Sequence, residues 1–544
     1  MIDPLFVYGN WSAYDEISDN IELTEELAMR QMAELVRLKK LGVRFDAYLM
    51  DAFWYAKDGA YRTWRKPHWP DGPDRWLEAC RENGLLPGLW FTANTLFHMD
   101  LPAAWADSID SKRWGMCLYE GGFLDDFMEV LDTWYQLGIR IFKLDFAEFK
   151  AVPAGKKDLD ARPKNIRAYR NALKQFRAEH PEAVFMAFNG FEDRECMDNT
   201  DHKPGSYIDP AWLDVFDSLY SGDPRPSDVP CPSFWRSVDI YSDYSTRLFH
   251  SSGIPLDRID NCGFMAGPTG TCYWRGKAAW RGMLLLSLAR GGRIHVAYGD
   301  LSQFDEQDAK FWATAQDLYD GTTTRFFGGW PGEGRSYGWI ATKGERDIAT
   351  VVGAAGFGDL IDLPVSDFGS WRVAAFDMEY EAKLLSTQFS INGSQLVLFV
   401  AGEELPSLTL DKDLNIVGKA MGSIGAEGVG ELKIQARPDH CSAHLELVFV
   451  QQDEFGQVLR NYPGENDWPP FHVSLELNGT VHELPPMFER KVWSGLSWWI
   501  VEFSLGDFQE PPTLTVRAVA EKAHLSATLH RIMPTERSSA NRYH

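Results

Sequence analysis

Basic residues are scarce in this sequence, with 54 Lys and Arg against 78 Asp and Glu, so that the formal net charge of its 544 residues is −24. Nucleic acids and anionic membranes attract basic protein surfaces, so we expect neither as a partner. No apolar run approaches the roughly 18 residues of a membrane-spanning helix. The first residues show no basic segment followed by an apolar one, so we expect no signal peptide and, unless the chain has been trimmed, a cytoplasmic protein.

Cysteine is also sparse, and its pattern argues against both disulfides and zinc. The seven cysteines are scattered, with no Cys-x-x-Cys pair, which predicts reduced thiols and no metal site. No Gly-x-Gly-x-x-Gly segment lies between a strand-like and a helix-like pattern, which weakens a dinucleotide-binding assignment. We therefore expect neither a metal nor an organic cofactor.

What the first 330 residues do contain is a regular alternation of strand-like and helix-like patterns. Eight alternations predict a (β/α)8 barrel of the TIM type, with an open doubly wound sheet as the alternative. The predicted strands are Leu5–Trp11, Val43–Trp54, Leu86–Trp90, Ile139–Asp145, Ala183–Asn189, Trp212–Ser221, Leu256–Asp260 and Arg293–Tyr298.

The pattern of apolar and turn-forming residues changes after about residue 330. Short β-forming runs alternate there with Gly, Pro and Asn turns, and helical periodicity vanishes, which is typical of antiparallel β-sandwiches. The predicted organisation is a catalytic barrel over residues 1–330, a β-sandwich over 331–403, and a second β-sandwich with a polar tail over 404–544.

The segment Gly138–Glu148 is the centre of the predicted site. Its apolar run predicts a buried strand, and period-2 alternation places Lys143 and Asp145 on the same side of that strand. Charged side chains buried together are costly unless they pair or have a function. In a barrel of parallel strands, the carboxyl ends of the strands carry the chemistry. Asp145 is therefore the first candidate catalytic residue.

Other predicted strands also end in polar residues. A single carboxylate at such a position often caps the following helix, but several on one rim are harder to explain as caps. Paired carboxylates without a His and Cys cluster are the usual equipment for cleaving glycosidic bonds. The polar residues at these ends are Asp51, Asn189, Asp223, Asp260 and Asn261.

These residues carry a resemblance to a known family. The segment Phe142–Phe146, Phe-Lys-Leu-Asp-Phe, is similar to the Lys-x-Asp nucleophile motif of retaining α-glycosidases, most closely the α-galactosidase-like enzymes of glycoside hydrolase family 36 and clan D. The segment Tyr220–Pro224 takes the place of that family's acid/base loop, and also resembles the Trp-x-Gly-Asp segment of the more distant family 31. The resemblance covers roughly residues 1–330, the predicted barrel.

The resemblance implies a retaining exo-α-glycosidase that acts by double displacement, most closely an α-galactosidase. Asp145 would attack the anomeric carbon, and Asp223 would protonate the leaving oxygen and then deprotonate water. Lys143 would hold substrate hydroxyls and keep Asp145 ionised, and Asp51 would bind the axial hydroxyl region of the sugar. Further residues implied to line the sugar subsite are Trp54, Trp90, Asn189 and Asp260.

Several alternatives stay open at this point. Asp239 is a rival of Asp223 as the acid/base, and Asp51 is followed by Ala52 where α-galactosidases carry a second aspartate. An α-N-acetylgalactosaminidase, an α-glucosidase or a raffinose-synthase-like transglycosidase would use the same machinery. A non-catalytic carbohydrate-binding protein is the hypothesis from another class. The expected partner is an oligosaccharide or glycoside, and a homo-oligomer is left open.

Overall fold

The chain consists of two compact units. The first comprises Met1–Gly222, Ser245–Phe264 and Gly291–Gln316, and the second comprises Asp223–Tyr244, Met265–Arg290 and Asp317–His544. The computed structural model describes residues 4–14, 16, 21–110, 112, 114–191, 208–221, 243, 245–260, 264–266, 280–330, 336–344, 346–352 and 359–362, and then the backbone of the β-strands between residues 371 and 532.

A ring of parallel strands forms the first unit. Strand β1 pairs with β8 on one side and β2 on the other, and parallel pairing continues in order from β2 to β7. The ring closes where Arg293 and Tyr298 donate backbone hydrogen bonds to Asp257 and Phe264, both over 2.9 Å. The predicted barrel is thus confirmed over the open sheet. Its strands are β1 Leu5–Gly9, β2 Ala47–Met50, β3 Leu86–Thr92, β4 Ile141–Asp145, β5 Val184–Ala187, β6 Ser218–Tyr220, β7 Ile259–Asp260 and β8 Ile294–Gly299.

Helices follow the strands in the order that the sequence predicts. The first begins at Thr24, whose hydroxyl accepts the Leu27 N–H over 3.1 Å, and it ends before Gly42, which has a left-handed φ of 100°. The helices are α1 Glu25–Lys40, α2 Asp74–Glu82, α3 Phe123–Gln136, α4 Ala161–Glu179, α5 Trp280–Ala289 of the second unit, and α6 Glu306–Tyr319, whose last residues belong to the second unit. Residues 245–250 are also helical.

Strands β6 and β7 are shorter than the sequence predicts. Trp212 lies in a 3₁₀ turn, Pro210–Asp214, which begins at Asp209, and a second 3₁₀ turn, Leu256–Arg258, precedes β7. A proline at the start of each turn region fixes φ, and the aspartate side chain caps the first turn. Buried turns carry the same apolar residues as buried strands, so hydrophobicity alone could not separate them.

The loop after β2 contributes aromatic side chains to the core. Trp64 and Trp69, which the sequence places in a proline-rich loop, are only 5% and 0% exposed. Their ring centroids lie 4.4 Å apart, and Trp64 also packs 4.9 Å from Trp54. These indoles serve loop packing.

Antiparallel sheets make up most of the second unit, as the predicted fold class requires. The boundary predicted after residue 330 falls between the first two strands of the first sheet, and the division into two β-sandwiches stays a prediction. In spatial order, the first sheet consists of Thr323–Gly328, Tyr337–Lys343, Arg346–Val352, Leu396–Ala401 and Trp371–Phe376, and the second consists of Asp359–Asp362, Gln388–Ile391 and Lys383–Leu385. The third consists of Leu414–Lys419, His524–Ile532, His444–Gln452, Ser497–Ser504 and Phe488–Lys491. The fourth consists of Glu427–Gln435, Thr513–Glu521, His472–Leu477 and Thr480–His482.

Candidate active site

The carboxylate of Asp145 lies at the carboxyl end of β4 and accepts four N–H groups. Its Oδ1 accepts the backbone N–H of Phe146 over 2.8 Å, the backbone N–H of Asn189 over 3.0 Å and the Asn189 side-chain amide over 3.1 Å. Its Oδ2 accepts the indole N–H of Trp90 over 3.1 Å. Asp145 is only 6% exposed. The donors therefore fix the orientation of this buried carboxylate from β3, β4 and the end of β5.

The end of β5 reaches Asp145 because residue 190 is a glycine. Asn189 accepts the Ala147 N–H over 2.9 Å, and this bond ties the segment after β5 to the segment after β4. Gly190 has a φ of 97°, and a Cβ at this position would lie 2.2 Å from the Ala147 carbonyl oxygen. A side chain at residue 190 would force the two segments apart. The glycine thus permits the approach that brings both Asn189 donors to Asp145.

Lys143 and Asp51 form a second buried feature, one strand to either side of β3. The Lys143 Nζ lies 2.8 Å from Asp51 Oδ2 and 3.4 Å from the hydroxyl of Tyr298. The ammonium group also lies 4.1 Å from the ring centroid of Phe188. Asn10, at the end of β1, accepts the backbone N–H of Asp51 over 2.9 Å. The short ion pair of Lys143 is therefore with Asp51, whereas the sequence analysis considered a pair with Asp145.

The surroundings of Asp145 perturb its acidity. Burial raises the pKa of Asp145 above the ordinary value of an aspartate, and the nearby charge of Asp51 acts in the same direction. The ammonium of Lys143 and the Trp90 N–H lower the pKa and offset part of this effect. The carboxylate thus combines low hydration with directed donors, and these properties suit an anion that must react rather than stay solvated.

Two further predicted site residues, Asp260 and Trp54, are buried at or near the strand ends. Asp260, at the end of β7, is 3% exposed, and its backbone carbonyl accepts the Ser221 N–H over 2.7 Å. Trp54 is fully buried and donates its indole N–H to the Trp90 carbonyl over 2.9 Å. Trp54 therefore supports the strand that carries Trp90, and direct contact with a sugar would require its neighbours to move.

Three candidates fall outside the described residues, namely Asp223, Asp239 and Asn261. Their predicted roles, including the choice between Asp223 and Asp239 as the acid/base, stay predictions.

Sequence reasoning missed several members of the site. Tyr298, Phe188 and Asn10 all stand at or just after a strand end, where barrel chemistry is expected, but none of them was among the predicted site residues. A search of every strand end for any hydrogen-bonding or aromatic side chain would have found them. The sequence could not have shown that the Lys143 ammonium points to Asp51.

Gly9 provides a test of how Tyr298 supports this site. Gly9 pairs in register with Tyr298, and a Cβ on Gly9 would lie 2.5 Å from a ring carbon of that tyrosine. We expect Gly9→Ala to destabilise the barrel by about 1–3 kcal/mol, the usual cost of overpacking. The displaced tyrosine should also loosen its contact with Lys143. Urea unfolding measures the loss of stability.

The matched control is the double variant Gly9→Ala/Tyr298→Ala. Removing the ring creates the room that the new methyl group needs, so the double variant should be destabilised by less than the sum of the two single variants. Additive losses would show that residue 9 acts independently of Tyr298.

The described residues contain no cluster of three or more His, Cys, Asp and Glu side chains placed to hold a metal ion. None of the helices described above is long and apolar enough to cross a membrane.

Solved structures similar to this chain bear the names of galactosidases and an amylase. The galactosidase domain of an α-galactosidase–sucrose kinase is 13% identical with a TM-score of 0.48, and the match covers 73% of this chain and 54%, about half, of that one. α-Galactosidase I from Mortierella vinacea is 13% identical with a TM-score of 0.45, covering 74% and 98%. An Anoxybacillus α-amylase is 8% identical with a TM-score of 0.44, covering 74% and 99%. These similarities concern the fold.

No protein-family model matches the sequence of this chain, and no curated protein matches it.

Proposed function

We propose that this protein is a retaining exo-α-glycosidase whose nucleophile is Asp145, with terminal α-galactosyl-type sugars as its substrates. The observation that carries the proposal is the carboxylate of Asp145, which is buried at the carboxyl end of a barrel strand and oriented by four N–H donors. Lys143, on the same strand, lies 2.8 Å from Asp51 Oδ2, and its charge also lowers the pKa of Asp145.

The donors distinguish the two oxygens of Asp145. Oδ1 accepts three N–H groups, whereas Oδ2 accepts only the Trp90 indole among the described residues. Oδ2 thus retains lone-pair density for attack, and we assign it as the nucleophilic atom. In the first step, a bond forms between Oδ2 and the anomeric carbon while the bond from that carbon to the leaving oxygen breaks.

A second carboxyl group must handle protons in both steps. On this proposal Asp223 donates a proton to the leaving oxygen as the glycosyl–aspartate ester forms. It then accepts a proton from the incoming water, whose oxygen bonds to the anomeric carbon and releases Asp145. Two inversions at the anomeric carbon give net retention. Asp223 enters the proposal from its position after β6 in the sequence alone.

Asp51 and Lys143 supply a polar wall for the sugar. Lys143 donates to Asp51, and the Asp51 Oδ1 accepts the Ala52 N–H over 2.9 Å. A sugar hydroxyl beside this pair finds both a donor and an acceptor, which suits recognition of one hydroxyl configuration over another. Ala52 leaves this wall with one carboxylate, so the preference for galactose over related sugars remains part of the proposal.

Hydrolysis of a panel of aryl α-glycosides tests the proposal. The panel contains the galactoside, N-acetylgalactosaminide, glucoside and xyloside, with Asp145→Asn as the control variant. We expect release from at least one α-sugar, loss of that activity in the variant, and an α-configured first product by NMR.

Other outcomes would each contradict a specific part of the proposal. A β-configured first product would exclude the glycosyl–aspartate route. Sugar binding by calorimetry without turnover on any member of the panel would favour a carbohydrate-binding protein. Turnover that persists in Asp145→Asn would place the nucleophile elsewhere.

A further inference from the structure

Aromatic side chains form a continuous surface beyond the polar site, here named the aromatic rim. It consists of Trp11, Phe53, Phe97, His98 and Phe146. Phe53 stacks on Trp11 with centroids 6.3 Å apart, and lies 5.6 Å from Phe97 and 5.1 Å from His98. Phe97 lies 5.1 Å from Phe146. The rim thus links the segments that follow β1, β2, β3 and β4.

The rim is continuous with the proposed nucleophile. Trp90, which donates to Asp145, lies 5.4 Å from Phe97 and 6.1 Å from Phe146 by ring centroids. Phe146 also follows Asp145 directly in the chain and donates its N–H to that carboxylate. The rings therefore begin beside the reacting carboxylate and extend away from it.

Strained backbone marks the same positions. Phe53, His98 and Phe146 have φ angles of 73°, 48° and 51°, in the left-handed region that non-glycine residues seldom adopt. Such conformations each cost on the order of 1–3 kcal/mol and are concentrated where a structure holds side chains for function. All three lie in the segments after barrel strands. The fold thus sustains an unfavourable backbone to present these rings.

Two buried tyrosines hold the strained segments in place. Tyr14 donates its hydroxyl to the Ala52 carbonyl over 2.5 Å, next to Phe53, and Tyr55 donates to the Phe97 carbonyl over 2.6 Å. Burial raises the pKa of both phenols, so they stay protonated and able to donate. The backbone of the rim is therefore ordered before any ligand arrives.

Exposure is intermediate at the rings beside Asp145, lowest at the more distant Phe53 and Trp11, and highest at His98. Phe53 and Trp11 are buried at 6% and 9% exposure, Phe97 and Phe146 are half-buried, and His98 is exposed. The polar wall formed by Asp51 and Lys143 is buried. A terminal sugar bound at the polar wall would have its anomeric carbon at Asp145, so the rest of the substrate would extend past Phe97 and Phe146.

We propose that the aromatic rim is the leaving-group subsite, and that it binds the apolar face of a second pyranose ring joined to the terminal sugar. This inference rests on the proposed function. Aromatic rings present flat apolar area at low entropic cost, and the C–H face of a pyranose is the matching surface. Partial desolvation of its exposed ring and the charge of Lys57 lower the pKa of His98, so this ring is uncharged at neutral pH. The substrate is thus an oligosaccharide.

The test compares two substrates that share one terminal sugar. The first is the α-linked disaccharide, and the second is the α-glycosyl fluoride, whose leaving group has no ring to stack. Phe97→Ala should lower kcat/KM for the disaccharide by about tenfold, the effect of one aromatic contact. Its effect on kcat/KM for the fluoride should be several-fold smaller, limited to what the Phe97 ring contributes through its packing on Trp90. Phe97→Leu, which keeps most of the volume but no flat face, should show the same selective loss even if the alanine variant folds poorly.

Trp114→Ala is the matched control, because Trp114 is a 70% exposed aromatic on the neighbouring hairpin Ile109–Asp110 and Gly115–Met116. Its ratio of disaccharide to fluoride turnover should equal that of the unsubstituted protein. An equal loss on both substrates in Phe97→Leu would overturn the subsite, since the rim would then contact the terminal sugar. A selective loss in Trp114→Ala alone would also overturn it. No turnover of any α-glycosyl fluoride by the unsubstituted protein would instead contradict the proposed glycosidase.

Discussion

Asp145→Asn is expected to reduce kcat by at least about 10⁴-fold while lowering the thermal midpoint of the barrel much less than Asp145→Ala does. The loss follows because an amide cannot form the glycosyl ester, and loss of a nucleophile typically costs this much or more. The stability follows from the burial that raises the pKa of Asp145. Activity should therefore fall far more than stability in this variant.

The stability effect follows from the direction of the pKa shift. A carboxyl group with a raised pKa in the folded state binds its proton more tightly when folded than when unfolded. Its contribution is fully favourable below the unfolded-state pKa of about 4 and is lost as the pH rises through the folded-state value. At neutral pH the ionised Asp145 thus lowers stability. A neutral amide removes that cost, and with its oxygen toward the three donors of Oδ1 it deprives only the Trp90 N–H of an acceptor.

Asp145→Ala is the matched comparison for stability. It removes the acceptor of all four N–H groups at once, so the buried donors lose their partner and the thermal midpoint should fall. Calorimetry at pH 7 on both variants, with kinetics on the best panel substrate, measures the contrast. A large drop in the midpoint for Asp145→Asn would show that the ionised carboxylate is a structural anchor.

Lys143→Met is expected to give the largest loss of stability in the site, about 3–5 kcal/mol in the free energy of unfolding. The ammonium lies 2.8 Å from Asp51, and both groups are buried, so its removal leaves a buried carboxylate without its partner cation. Loss of a preorganised charge near the reacting atoms should also lower kcat by about 10²–10³-fold. Urea unfolding and steady-state kinetics check the two values.

The same variant should shift the pH profile. Lys143 lowers the pKa of Asp145, so its removal raises that pKa further. Because the nucleophile must be ionised, the acid limb of kcat/KM should move to higher pH. A pH profile with unchanged position would show that Lys143 acts on the substrate alone.

The double variant Lys143→Met/Asp51→Asn separates the pair from its members. Removing both charges leaves no uncompensated carboxylate at residue 51, so much of the unfolding free energy lost through Asp51 should return. Activity should not return, because the polar wall for the sugar is gone. A double variant as unstable as the sum of its singles would mean that each residue is held by other groups.

How much of this site is predictable from sequence depends on the strand. At β4, period-2 alternation and β-forming residues identified the strand and its two inward charges, since both patterns are local. At β6 and β7, 3₁₀ turns occupy part of the apolar runs, and the same hydrophobicity serves either structure. Local patterns thus predicted the ring of strands better than their lengths.

The partners of the charged groups could not be predicted in the same way. The contact between Lys143 and Asp51 joins residues 92 positions apart and depends on side-chain direction across the barrel. The aromatic rim depends on left-handed backbone at phenylalanine and histidine, residues that carry no sequence signal for that conformation. Both features follow from packing of the whole barrel rather than from any one segment.

The closure of the ring has a consequence for how the chain folds during synthesis. Strand β1 pairs with β8, and the Tyr8 hydroxyl donates to the Gly299 carbonyl across 291 positions. At about 5–20 residues per second, a ribosome adds that length in roughly 15–60 s. Throughout that interval β1 has one strand edge without its partner, so the nascent chain needs protection from aggregation. A product released before β8 would contain every charged residue of the site and still lack the barrel that assembles it.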